Sequence, residues 1–191
     1  MFEPYYPEPY SDFSDPANAA AYELALAGVK ERFGASYPLT IAGEAVETDA
    51  TIESVDPSDP SQVVGVSASA GVAEAERALD AAWAAYETWS RESAEFRARL
   101  GVRLAHIMRA QKYELAAIQT FEAGKNWVEA EADVAEAIDF VEFYARQAMR
   151  LAEPIPVVHW PGEENESHFV PIGAGVAIPP RQLPTSWHWP G

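Results

Sequence analysis

Four histidines, a series of carboxylates and one glycine-rich triplet are the groups whose types and spacing invite a chemical reading. His106, His159, His168 and His188 show no H-x-x-x-H or comparable ligand spacing, so they define no metal site. His159 and His168 sit where they could face each other across a hairpin, an ordinary arrangement on paired strands. Gly173-Ala174-Gly175 resembles a phosphate loop only in part. The third glycine of G-x-G-x-x-G is missing and no helical pattern follows. The chain contains no cysteine, which removes disulfides, thiolate metal ligands and a cysteine nucleophile from these residues. The remaining candidates are acidic. Glu122 precedes a Gly-Lys turn, and Glu129, Glu131, Glu136 and Glu142 follow along one long helical pattern.

A formal charge of −17 over 191 residues argues against nucleic acid, which needs clustered Lys and Arg to displace counterions. It argues equally against an anionic membrane surface, and it favours solubility. The Pro-, Tyr- and Glu-rich start, Met1 to Tyr10, has neither the basic nor the apolar region of a signal peptide. No apolar run approaches the roughly 18 residues of a membrane span. A soluble cytoplasmic protein with a single core is the expectation.

The elements that must position these groups are legible as changes of period. Residues 1–13 read as an irregular arm, since three prolines and five aromatic residues suit no regular helix. Ser14-Asp15-Pro16 opens a helix that closes near Gly34. Leu39 and Ile41, Gly43-Glu44 and Ala45-Val46 predict a short hairpin. Ile52 and Val55 lead into a turn over 56–61, with a strand at Val63–Val66. Helical stripes follow: Val72, Leu79, Trp83 and Tyr86; then Phe96, Leu100, Leu104 and Ile107; then Leu115 and Ile118. These stripes are expected to be core. The stretch from Trp127 to Leu151 lacks Pro and Gly, carries Val134, Ile138, Val141 and Ala145 on one side, and predicts a long helix ended by Glu153-Pro154. Beyond it, Ile155–Val158 and Phe169–Val170 flank an acidic turn, and Val176–Ile178 reads as a strand buried on both faces.

Several segments fall in an order that resembles the aldehyde dehydrogenase family. They are Tyr37–Glu44, the run from Asp56-Pro57 to Gly65, the Ala-rich helix ending at Trp89, and Phe121-Glu122-Ala123-Gly124-Lys125. Glu122–Ala130 running into Asp133–Phe140, and Pro161–Ser167 followed by Val170–Val176, resemble that family's glutamate-semialdehyde branch. The resemblance implies an α/β fold, cut to its N-terminal portion: a helical layer, β-hairpins and the first nucleotide-domain strand. By that correspondence 1–36 is the arm and first helix, 37–153 the mostly helical start of the NAD-binding domain, 154–171 an oligomerisation-type hairpin, and 172–180 the first nucleotide-domain strand. It also implies NAD as cofactor, a small aldehyde as substrate and a homo-oligomer for the full-length protein. The reaction implied is oxidation of glutamate γ-semialdehyde to glutamate through a cysteine thioester.

The site residues implied by the resemblance are few. Glu136 falls where the family's substrate tunnel is lined, though a solvated helix charge fits it as well. Glu122 falls near a structural cation in the family, and a turn-capping carboxylate is the competing reading. The family's catalytic cysteine and general-base glutamate lie downstream of the matched residues. At the oxyanion asparagine of its P-W-N-F-P segment this chain has Gln182, and Arg181 replaces the apolar Trp. Codons for Gln182 to Ser186, read one base later, can encode Asn-Phe-Pro-Leu-Ala, the family's usual continuation. Residues 181–191 are therefore expected to be a frameshifted tail, and the chain alone inactive. The alternatives are a non-catalytic piece that binds a full-length subunit, or another NAD-dependent aldehyde dehydrogenase.

Overall fold

Local side-chain chemistry sets most helix starts in the computed structural model, which describes residues 4–178. Asp15 caps α1 (Pro16–Lys30) by accepting from the Ala17 amide, with Pro16 in the first turn where no amide is needed. After α1 come β1 (Ala35–Tyr37), β2 (Leu39–Ile41), β3 (Glu44–Val46), β4 (Thr51–Asp56) and β5 (Asp59–Ala68). Next are α2 (Val72–Trp89), α3 (Ala94–Ala110), α4 (Lys112–Ala123) and α5 (Trp127–Leu151). Ser93 caps α3 through the Phe96 amide, and Asn126 caps α5 through the Glu129 amide. Gly124, in the left-handed region at φ +68°, ends α4. A side chain there would also meet Pro57 at 3.1 Å, so the Glu122–Lys125 turn requires glycine twice over.

The strands form two small sheets. β2 and β3 make the expected hairpin, with Ala42 and Gly43 both at positive φ in its turn. β5 lies between β1, parallel to it, and β4, antiparallel to it. The expected six-residue turn before β5 is tighter than the composition suggests. Asp56 and Asp59 already pair across the ladder, and register shifts near Val55 absorb the mismatch.

The core is built from α1, α3, α4 and α5. Tyr22, Ala105, Met108, Leu115, Ala116, Ala130, Val134 and Ile138 form one buried cluster. Small residues let α3 approach α5: Ala98 and Ala105 are buried, and Gly101 faces Ala145 so closely that a Cβ would meet it at 3.2 Å. The large apolar residues of α3 face the other way. Phe96, Leu100, Leu104 and Ile107 are exposed, as are Val72, Leu79 and Trp83 of α2, and α2 buries no residue. The expectation that these stripes are core is overturned. Their periodicity is real, but the little that the described residues place over that side leaves these side chains exposed.

Residues 155–178 run extended without strand pairing. One backbone bond, Ile155 N–H to Ser167 O at 3.2 Å, ties the two limbs around the acidic turn. Val176 and Ile178 are exposed rather than buried on both faces, because a buried strand needs neighbouring strands on either side. The segment touches the body at α2. Tyr86 donates its hydroxyl to Pro171 O at 2.9 Å, and Gly173, at φ +115°, sits under Trp83. A Cβ on Gly173 would lie 2.5 Å from the Trp83 ring. Gly173→Ala is therefore expected to lift the segment from α2 and speed chymotryptic cleavage at Phe169 several-fold. Unchanged cleavage would show that Trp83 does not hold it.

Candidate functional site

The groups singled out in the sequence do not converge on one place. Glu136 projects from the exposed side of α5 and lines a cavity of about 470 Å³ between that helix and the arm. Its companions there are Asp133, Asp139, Phe140, Phe143 and Tyr144 of α5, with Tyr5 and Tyr10 of the arm. Glu122 is half-buried in the last turn of α4 and does not line that cavity. Among the described residues no group of three or more His, Asp and Glu could hold a metal ion. His159 and His168 are both exposed on the extended segment. Gln182, Arg181 and His188 lie outside the described residues.

Two carboxylates grouped with Glu136 as helix-surface charges turn out to be interior. Glu131 is 1% exposed and Glu142 is 8% exposed. Helical geometry explains it: both lie on the α5 face that carries Val134, Ile138 and Ala145. Their charges are met by three cations and by the arm. Lys112 Nζ lies 2.5 Å from Glu131 Oε1, which also accepts from the amide and hydroxyl of Ser11 at 2.9 Å each. Lys112 further donates to Pro9 O at 2.7 Å. Arg109 bridges Glu8, at 2.7 Å, and Glu142, at 3.4 Å, while Arg146 pairs with Glu142 from the next turn. The Glu8 amide donates to Asp139 at 2.7 Å. The irregular arm is thus held down by buried charge. Sequence reasoning missed this, since the only signal was the alternation of Glu8 and Ser11 with aromatic residues.

Burial pushes the Glu142 carboxyl up, but hydrogen bonds and charge from Arg146 and then Arg109 outweigh it. The net effect holds the group below its ordinary value. A depressed folded pKa contributes stability above the unfolded value, and that stability is lost as pH falls through the folded one. Glu142→Gln is expected to flatten the loss of thermal stability below about pH 4.3. An acid limb as steep as that of the parent would assign it to other carboxylates.

The described residues form no dinucleotide cradle. A nucleotide fold needs a strand-helix-strand crossover and a helix N-terminus open to phosphate. β1 and β5 are parallel, but strands rather than a helix connect them. The start of α2 is closed by its own Glu74, whose carboxylate accepts from the Gly71 amide at 2.8 Å and would repel a pyrophosphate. These residues do not fit the group.

Comparison with known proteins gives the chain its place. The sequence pattern of the aldehyde dehydrogenase family matches residues 45–188. The chain belongs to the aldehyde dehydrogenase family. The chain is 46% identical over 184 residues to a 1-pyrroline-5-carboxylate dehydrogenase of Geobacillus thermodenitrificans, spanning 96% of itself and 36% of that protein. It is 47% identical over 180 residues to 1-pyrroline-5-carboxylate dehydrogenase 2 of Bacillus subtilis, spanning 94% of itself and 35% of that protein. A solved structure of 1-pyrroline-5-carboxylate dehydrogenase from Thermus with bound NAD superposes with a TM-score of 0.95 at 51% identity. That match covers 97% of this chain and 36% of the Thermus chain. The chain thus spans about a third of the length of these relatives and has the architecture of the N-terminal portion of their fold. No described helix is long and apolar enough to cross a membrane.

Proposed function

We propose that this chain is the N-terminal part of an NAD-dependent dehydrogenase that oxidises glutamate γ-semialdehyde, the open form of 1-pyrroline-5-carboxylate, to glutamate. The observation that carries the reading is the Thermus match: half the residues are identical across nearly the whole chain, with the same backbone path. The residues in hand contribute scaffold. They contain no cysteine to form the thioester, and the described ones build no dinucleotide cradle. NAD and the nucleophile would be held by residues of the whole enzyme beyond those matched here. Glu136 is the described residue nearest to a substrate role in this reading, facing the polar end of the aldehyde. The extended 154–171 segment would supply an oligomer contact. Residues 181–191, with Gln182 at the oxyanion position, would derive from a shifted reading frame.

A chimera tests the reading. Residues 4–178 would replace the corresponding part of the Thermus enzyme, and NADH formation would be followed with 1-pyrroline-5-carboxylate. Activity within about tenfold of the parent is expected, a loss of under about 1.4 kcal/mol in transition-state stabilisation. A folded, NAD-binding chimera that prefers an unrelated aldehyde would reject the substrate assignment. The 191-residue chain by itself is expected to form no NADH, and thiol-sensitive NADH formation would contradict that.

A further inference from the structure

Residues 4–11 of the arm meet the helices through charged and polar groups. Half-buried side chains recur at every third position, Tyr5, Glu8 and Ser11, while Pro4, Tyr6, Pro7, Pro9 and Tyr10 between them are exposed. A repeat of three matches the period of polyproline II, which prolines favour and which has no internal hydrogen bonds. Among the described residues, no backbone bond joins two members of 4–11. What holds the segment is the Glu8 carboxylate, whose side chain is 7% exposed, at 2.7 Å from Arg109 and 3.6 Å from Lys112. Three backbone groups add to it. The Glu8 amide donates to Asp139, the Ser11 amide donates to Glu131, and Pro9 O accepts from Lys112. Tyr5 contributes an edge-on ring contact to Phe143 at 5.9 Å.

The body does not need the arm to balance these charges. Lys112 keeps Glu131 at 2.5 Å and Arg109 keeps Glu142 at 3.4 Å, all four on α3, α4 and α5. Releasing the arm therefore strands no ion, and water replaces the contacts of Glu8 on both sides. The base of the arm is fixed separately. The Asp12 carboxylate accepts from the Ser14 amide, its carbonyl accepts from Asn18 and from the Asp15 amide, and Phe13 packs against the core. We propose that residues 4–11 form a strap that opens as one unit about Asp12 while the helical body stays folded, with Glu8 as its latch. The opening is a local reaction with a free energy below that of global unfolding. It takes Tyr5 and Tyr10 out of the wall of the cavity that holds Glu136. The bearing of that change on the aldehyde rests on the function proposed above; the strap itself does not.

Amide hydrogen exchange on the full 191-residue chain, followed by NMR, tests the strap at its two bonded amides, Glu8 and Ser11. Both are expected to share one protection factor, lower than those of Ala116 and Ile138 in the buried core. Glu8→Gln keeps the amide and removes the charge. It is expected to speed exchange at both positions about tenfold, the loss of a charge-assisted hydrogen bond, and to leave Ala116 and Ile138 unchanged. The Ser11 amide bonds Glu131 rather than the latch, so its response reports the unit. Pro7→Gly alters an exposed residue and widens the freedom of the opened strap, so both amides are expected to exchange about two- to fivefold faster. A faster Glu8 amide beside an unchanged Ser11 amide overturns the proposal, since the arm would then fray residue by residue. So does a response shared equally by Glu8, Ser11, Ala116 and Ile138, which would tie the arm to global unfolding. Exchange that neither substitution alters overturns it as well.

Discussion

Lys112→Met is expected to cost the fold about 3–5 kcal/mol, the penalty for leaving a buried charge without its partner. Glu131 is 1% exposed and pairs, among the described cations, with Lys112, whose side chain is itself only 11% exposed. The substitution also frees Pro9 O and weakens the hold on Glu8. Urea unfolding followed by circular dichroism gives the loss directly. The double variant Lys112→Met with Glu131→Gln is expected to recover much of it, since a neutral amide still accepts from Ser11 and no charge is stranded. A single variant within about 0.5 kcal/mol of the parent would show that water reaches Glu131 and that the arm is not held by buried charge.

Tyr22→Ala is expected to cost a similar amount, about 3–5 kcal/mol, for a different reason. Tyr22 is wholly buried, stacked on Trp127 at 4.9 Å and edge-on to Phe13 at 5.2 Å and Tyr113 at 5.8 Å. Removing the ring opens a cavity where α1, α4, α5 and the arm meet. Tyr22→Phe keeps the ring and loses only the 2.9 Å bond to Thr120, so about 1 kcal/mol is expected. The ratio of the two losses separates packing from hydrogen bonding. Near-equal values would place the energy in the hydroxyl instead.

Both predictions concern groups whose importance the sequence hides. Tyr22 is visible as an apolar position on a helix, yet nothing in the order of residues says that Phe13, Tyr113 and Trp127 close around it. Glu131, Glu136 and Glu142 read as three equivalent helix carboxylates. The structure separates them by the angle each makes with the α3 and α4 faces, which buries two and leaves one in solvent. Glu136 gains its setting from Tyr5 and Tyr10, more than a hundred residues away in the chain.

Local chemistry was enough for the elements. The cap at Asp15, the Gly43 turn, the glycine closing α4 and the run from Trp127 to Leu151 act within one or two turns, so the sequence by itself determined where these elements begin and end. The ordered segments around Glu122–Lys125 and Pro161–Gly175 likewise sufficed to indicate the family. Which face of a helix is core depends on what lies across from it, and only the tertiary structure decided that. α3 turned its small face, Ala98, Gly101 and Ala105, to α5, because close helix approach is limited by side-chain volume. Its larger stripe, with that of α2, was left exposed. Periodicity fixes an angle around one helix; burial is a relation between elements distant in sequence.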